Sequence, residues 1–553
     1  MLKDATAKGL NIYIASGYRS YNYQVMKLKY VIIVLIALLS FSSCNDWLDV
    51  VPQGQVQGED LLTDEKGYNS ALDGIYYKLT SETLYGMELS FGMMDVLAQY
   101  WDLSTKTKNP YYKQSLFDYE DATSKTRFKA IWSMMYQGIT QANYILESLE
   151  GNRDKIKYSE LIEGEAYALR AFIHMELASM YGPVIRSEAD LDKKCIAYRT
   201  EYNVKAQEFE SMRSVLTKAK EDLTKAAELL KNDPIVENKR YGNGNSSMLD
   251  YHAVLERRGD RMNLYAVKGL LMRVELALMN KAGARQLAVN LIDECKSTEL
   301  FTLTDKTDKL YDINMGEEML LGFYKNDLWE VARDTFGMEK GNAEANFCIT
   351  PNQYDIYLNE LYGRVPDGSG TDNRLRVWFQ RPSSGADYYN FQKLYETSHP
   401  GTVYLPYYPE VAILKLSEVY YVACETSIGV DNGKALEYLN EVRDSRNLAK
   451  LAGPYGNEEL MEYLMRVIAE GELVLAGDFF RFHDRDKRKD AQAGNGGHVP
   501  LYLIRVLDPG AHHLVSPANT DHFFTFFVSP DDCLRDTVCP NVPQIGDRVF
   551  RSR

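Results

Sequence analysis

"EAYALRAFIHMELASMYGPV" (residues 165–184) is the stretch on which the fold turns. Read from Leu161, the apolar residues Ile162, Ala166, Leu169, Ile173, Leu177 and Met180 recur at three- and four-residue steps, which is one face of a 3.6-residue helix. Tyr181 is followed by Gly182-Pro183, a helix-ending pair, so the spacing predicts a helix from Leu161 to Tyr181 with an abrupt stop. Similar patterns run from Phe128 to Leu149, Glu208 to Leu230, Asn263 to Asn280, Gln286 to Cys295, Val411 to Thr426, Lys434 to Arg446 and Glu458 to Leu475.

Several of these predicted helices fall in pairs. Residues 263–280 and 284–296 are joined across Lys281-Ala282-Gly283, and 411–426 and 434–446 across Gly429 to Gly433. Ala277, Ala423 and Ala435 offer small side chains where partners cross. A helix that cannot bury its face alone stacks on its neighbours, as in tetratricopeptide arrays. The expected class is therefore all-α, built of tetratricopeptide-like pairs without a regular 34-residue period. Long loop-rich stretches at 97–125, 184–206, 232–262, 300–410 and 486–553 interrupt the pairs, with only short hairpins expected in them. Long excursions from a compact fold are usually functional.

The N-terminus has its own order. Met26-Lys27-Leu28-Lys29 is a short basic region, and the ten-residue apolar run Tyr30 to Leu39 is too short to span a bilayer but suits a signal peptide. Ser42 and Ser43 then precede Cys44, the arrangement of a bacterial lipoprotein signal, so Cys44 is the expected lipidation site. An ordinary secretory signal with a chance cysteine is the plainer reading. Residues 1–25 read as an extension ahead of a true start at Met26, residues 26–43 as the signal and 44–60 as an extended arm, in which Trp47 packs.

Net charge is −15, and the densest basic cluster, Lys487-Arg488-Lys489, is bracketed by Asp486 and Asp490. Nucleic acid and a polybasic membrane contact are both disfavoured, since each needs clustered cations. The cysteines show no C-x-x-C spacing. Cys295 and Cys424 fall in helical patterns and are expected in the core, while Cys533 and Cys539 are near enough in sequence to be either free or bridged. No H-E-x-x-H, G-x-S-x-G or phosphate-loop motif occurs. His512, His513 and His522 read as surface loop, "GNGN" (242–245) as a turn and "RGD" (258–260) as chance. Glu163 and Glu165 lie two apart on a helix and so cannot flank one glycosidic bond; a solvated or ion-paired role is expected. No catalytic residue, metal or cofactor is predicted.

The positive signal is aromatic: 40 tyrosines stand against 20 phenylalanines. Tyrosine suits places with one apolar and one wet side, and a sugar ring has a C–H face and a hydroxyl rim. "DVLAQYWDLSTKTKNPYYKQ" (95–114) and "FYKNDLWE" (323–330) mix such rings with polar groups, which makes Tyr100, Trp101, Asp102, Tyr111, Tyr112, Tyr324 and Trp329 the candidate ligand-binding residues. Packing in the core or against a partner is the competing reading for each ring, and the preferred one for Trp132 and Trp378.

Five segments together resemble the SusD/RagB family of outer-membrane lipoproteins. They are "CNDWLDVVPQGQV" (44–56), the 165–184 stretch with Arg170-Ala171-Phe172 and Tyr181-Gly182-Pro183, "KLSEVYYVACET" (415–426), "NEVRDSR" (440–446) and "VSPDDCLRDTVCPNVPQIGD" (528–547). "LAGDFFRFHDRD" (475–486) departs from the family's acidic-glycine pair, and 487–526 match poorly. The resemblance implies an N-terminal helical region over 61–300 and a C-terminal region over 301–553 carrying the ligand or partner surface. It also implies a protein facing the exterior as the lid of a SusC-like TonB-dependent transporter, binding an oligosaccharide or other nutrient oligomer without catalysis. The alternatives are an outer-membrane glycoside hydrolase and a structural lid with little ligand affinity.

Overall fold

The computed structural model describes residues 62–464 apart from 98–100, 102, 104–105, 184, 186, 239–254, 256, 305–313, 337–346, 348–377, 381–388, 392–393, 395–408 and 462. All of them belong to the compact unit Leu62–Arg553. Cys44, Trp47, Cys348, Cys533, Cys539, the "GNGN" turn and the three histidines at 512, 513 and 522 lie outside the described residues.

The longer helices are α1 (Glu65–Leu79), α2 (Ala122–Glu150), α3 (Ser159–Tyr181), α4 (Met212–Leu229), α5 (Leu264–Ala277), α6 (Lys281–Thr298), α7 (Leu328–Phe336), α8 (Leu416–Ser427) and α9 (Asn432–Ser445). Most begin where the sequence supplies a short polar side chain. Asp121, Ser211, Asn263, Asn280 and Asp431 each accept a hydrogen bond from a backbone amide of the first turn, satisfying donors the helix itself cannot pair. Each helix then packs on the next: α1 on α2, α2 on α3, and so on through α6, which meets α8, which meets α9. This is the tetratricopeptide-like stacking the periodicity predicts.

The helix α3 is central to it. It touches α1, α2, α4 and α5 and is buried nearly all round, as a helix with apolar residues on every side must be. It stops at Gly182, where a Cβ would lie 2.4 Å from the Ala178 carbonyl oxygen and 2.5 Å from Cys195 Sγ. The glycine is required by close approach, not by its φ.

Two expectations are corrected. Residues 411–415 are not helix: Glu410–Lys415 form strand β4, antiparallel to β1 (Met319–Tyr324), and α8 starts only at Leu416. Both strands are almost wholly buried, so their side chains show no alternation to separate strand from helix. A second pair joins β2 (Phe379–Gln380) and β3 (Asn390–Phe391). Lys281-Ala282-Gly283 is likewise not the turn but the first turn of α6; the chain reverses at Met279, whose φ of 62° is left-handed. Ala423 and Ala435 are fully buried as expected, whereas Ala277 is only half-buried. Trp132 and Trp378 are core residues, and Cys195, Cys295 and Cys424 are buried free thiols.

Arginines tie the stack together. Arg170 of α3 grips Asp222 of α4 through Nε (2.7 Å) and Nη2 (2.6 Å), and its Nη1 donates to Asn143 of α2. Arg273 of α5 pairs with Glu418 of α8 and donates to the Ile413 carbonyl at 2.9 Å. Arg446, after α9, donates to Glu318, just before β1, at 2.8 Å. Such forked pairs fix geometry as well as charge.

Candidate functional site

The strand β1 is buried from Met319 to Phe323 and reaches the surface at Tyr324, which is 39% exposed. The chain then turns through Lys325–Asp327, held by the Lys325 ion pair to Asp327 (2.8 Å) and by the Leu328 amide donating to the Lys325 carbonyl (3.0 Å), and enters α7. The Tyr324 hydroxyl donates to Asn326 Oδ1 at 3.1 Å.

One face of the Tyr324 ring carries the guanidinium of Arg257, 4.3 Å from the centroid. Two carboxylates hold Arg257 there: Asp260, reached from Nε, and Glu410, 3.8 Å from Nη2. Glu410 is the cross-strand partner of Tyr324, so the sheet register itself sets the clamp. Arg257 adopts the left-handed conformation (φ 49°), uncommon for a residue with a side chain. Its burial works against its charge, but Asp260 and Glu410 outweigh this and leave its pKa raised.

On α7, Trp329 is half-buried, with the Arg333 guanidinium 5.0 Å from its ring centroid one turn on. Tyr112 is half-buried at the start of the helical turn Tyr112–Ser115. Tyr324, Trp329 and Tyr112 thus keep surface that a ligand can reach.

Trp101 and Tyr111 do not, which corrects the expectation that their rings lie open. Trp101 is 2% exposed, stacked on Phe347 at 5.4 Å and 12°, and flanked by Phe336 and Phe391. Tyr111 is 3% exposed, against Phe347 on one side and with the Arg127 guanidinium 4.3 Å over its ring on the other. Burial, reinforced by the neighbouring Glu88 carboxylate, pushes its phenol well above the usual range. The physical reason is company: aromatic residues at 91, 336, 347, 379 and 391 gather into one cluster whose gain from burial exceeds that of a lone exposed ring. That cluster is what joins the two predicted segments, since Trp101 from the first meets Phe336 at the end of α7. Tyr100 and Asp102 lie outside the described residues.

Glu163 and Glu165 are ion-paired, as expected. Glu163 meets Arg153 and Lys225, and Glu165 meets Arg258 and Arg261. Among the described residues no group of His, Cys, Asp or Glu is placed to hold a metal ion, and no helix is long and apolar enough to cross a membrane. The residue the sequence reading missed is Arg257. Its signal was the run Arg257-Arg258-Gly259-Asp260-Arg261, too charged for a random loop yet set directly before the cap Asn263.

Comparison with known proteins gives a consistent result. Residues 46–241 match a SusD-like family described as starch-binding and associating with the outer membrane. A SusD-like protein of Formosa agariphila is 24% identical over 166 residues, a match that spans 28% of this chain and 31% of that protein's length. Among solved structures, a SusD superfamily protein from Bacteroides vulgatus superposes with a TM-score of 0.56 at 17% identity, covering 80% of this chain and 95% of that one. A SusD-like carbohydrate-binding protein from the same species gives 0.52 at 16% identity, covering 74% and 82%. At these identities the structural likeness concerns the fold. Motifs, family match and helical architecture converge: residues 46–241 are SusD-like in sequence, and the chain shares its helical fold with SusD superfamily structures.

Proposed function

We propose that this protein captures an oligosaccharide at the cell surface, anchored to the outer membrane through lipid on Cys44, and passes it to a SusC-like TonB-dependent transporter. The observation that carries the reading is the Tyr324 platform: an exposed ring oriented by Arg257, with Asn326 at its hydroxyl and Trp329 on the next helix. A flat ring with hydrogen-bonding groups at its rim complements a pyranose, and orienting it in advance reduces the ordering cost of binding. The printed descriptions of the family and of the B. vulgatus protein, starch-binding and carbohydrate-binding, point the same way. Turnover has no support from Glu163 and Glu165, whose charges are already matched.

Affinity electrophoresis in gels containing amylopectin, xylan, laminarin or pectin tests this, run beside an assay of reducing-sugar release. The wild type is expected to be retarded in at least one gel and to release no sugar. Tyr324→Ala is expected to weaken the retardation roughly tenfold, about 1.4 kcal/mol of lost stacking. Unretarded migration in every gel, or sugar release, would overturn the reading. Transporter pairing is tested separately, by purifying the tagged lipoprotein from outer membranes and looking for a co-purifying barrel.

A further inference from the structure

Residues 199–205, in the connection leading to α4, are a surface loop with unusually strong support from below. The Arg199 amide donates to His174 Nε2 at 3.0 Å, and its guanidinium donates to the carbonyls of Asn203 and Lys205. Asn143 of α2 donates to the carbonyls of Arg199 (3.1 Å) and Glu201 (3.3 Å), and Arg170 of α3 to that of Thr200 (3.4 Å). Arg199, Asn143 and Arg170 are all buried. Three carbonyls of this seven-residue segment are thus held by side chains of the helical core and two more by its own buried Arg199.

Among the polar residues the segment exposes, Thr200, Glu201 and Lys205, it also presents two apolar ones. Tyr202 is 50% exposed and Val204 84% exposed. The Tyr202 ring lies 4.8 Å from that of Tyr144 on α2, the planes tilted by 44°. Beside them Asn203 donates to the Glu201 carboxylate at 2.6 Å, so a polar rim adjoins the rings. Exposing apolar groups on a rigid mount costs solvation without helping the fold, which marks a binding surface.

We propose that Tyr202 and Tyr144 form a second aromatic platform, taking a pyranose ring of the same oligosaccharide; this rests on the function proposed above. A protein partner fits less well. Its contact needs about 800 Å² on each side with a core poor in charge, and here Tyr202 and Val204 sit between Glu201 and Lys205.

The test is affinity electrophoresis of the full mature lipoprotein in the same amylopectin, xylan, laminarin and pectin gels, with thermal melts as a control for folding. Tyr202→Ala is expected to melt as the wild type does and to lose retardation roughly tenfold or more, because two linked contacts on one chain reinforce each other. Tyr202→Phe, which keeps the ring, is expected to retain it. If Tyr202→Ala migrates as wild type while Tyr324→Ala does not, the second platform is overturned and the first stands. If Tyr202→Ala keeps its glycan retardation but no longer brings down a co-purifying barrel, the loop is a protein contact and the proposal fails. If the wild type is retarded in no gel, both readings fall together.

Discussion

Arg258 holds two carboxylates at once. Its Nε and Nη2 donate to Asp233 at 3.0 and 2.8 Å, while Nη1 meets Glu165, and none of the three side chains is exposed. Removing one partner of a buried pair leaves an unmatched charge, so Arg258→Met is expected to destabilise the fold by about 3–5 kcal/mol in urea titration. A loss within 1 kcal/mol would overturn that expectation. His174 makes the opposite case, a buried group kept neutral. Its Nδ1 is 2.8 Å from the Arg170 carbonyl and its Nε2 accepts from the Arg199 amide, and burial lowers its pKa from 6.5 to about 3. The unfolded chain therefore binds a proton between pH 6.5 and about 3 that the folded chain refuses. Stability falls as pH drops through that window, at about 1.4 kcal/mol per pH unit from this group, and is unaffected by it above. A His174→Gln variant is expected to show a flatter melting-temperature profile from pH 6.5 to 4; an unchanged slope would assign the acid sensitivity elsewhere.

The stop of α3 can be tested by one methyl group. Gly182 has φ −90° and ψ 174°, open to any residue, yet a Cβ there would press on the Ala178 carbonyl and Cys195 Sγ. Gly182→Ala is expected to cost about 1–3 kcal/mol as overpacking, read as a lower denaturation midpoint. A neutral result would mean that the connection after α3 shifts freely. This stop was legible in the sequence because glycine followed a long periodic run, and the same local logic located α2, α4 and α9. Where the reading failed, the deciding interaction was distant. Val411 to Lys415 became strand because β1, some ninety residues earlier, offered an edge to pair with. Trp101 became core because Phe336, Phe347 and Phe391 converged on it from segments far along the chain. Tyr324 was singled out because its segment mixes aromatic rings with polar groups; Arg257, which orients it, reaches it only through the fold.

Contacts that span the sequence tie distant elements of the described structure together. Arg261 reaches back to Asp73 on α1, Arg273 forward to Glu418 on α8, and Arg446 returns from the end of α9 to Glu318 at the foot of β1. The last of these connects the helical array to the strand that carries Tyr324, and both partners are buried. Burial raises the Glu318 pKa, and Arg446 more than reverses this, leaving it at about 2. The pair's contribution is complete above the ordinary glutamate value of 4.5 and is lost as pH falls from there through 2. Glu318→Gln removes the charge while keeping the shape and leaves Arg446 buried without its counterion, at a cost of about 3–5 kcal/mol. If the pair joins one cooperative unit, helical circular dichroism and tryptophan fluorescence will shift to a lower denaturant midpoint together, since Trp132 reports from the stack and Trp101 and Trp378 from the aromatic cluster. Should fluorescence move while the helical signal stays, the excursions unfold separately, and the Tyr324 platform would rest on a body less firmly joined to the stack than these long-range pairs imply.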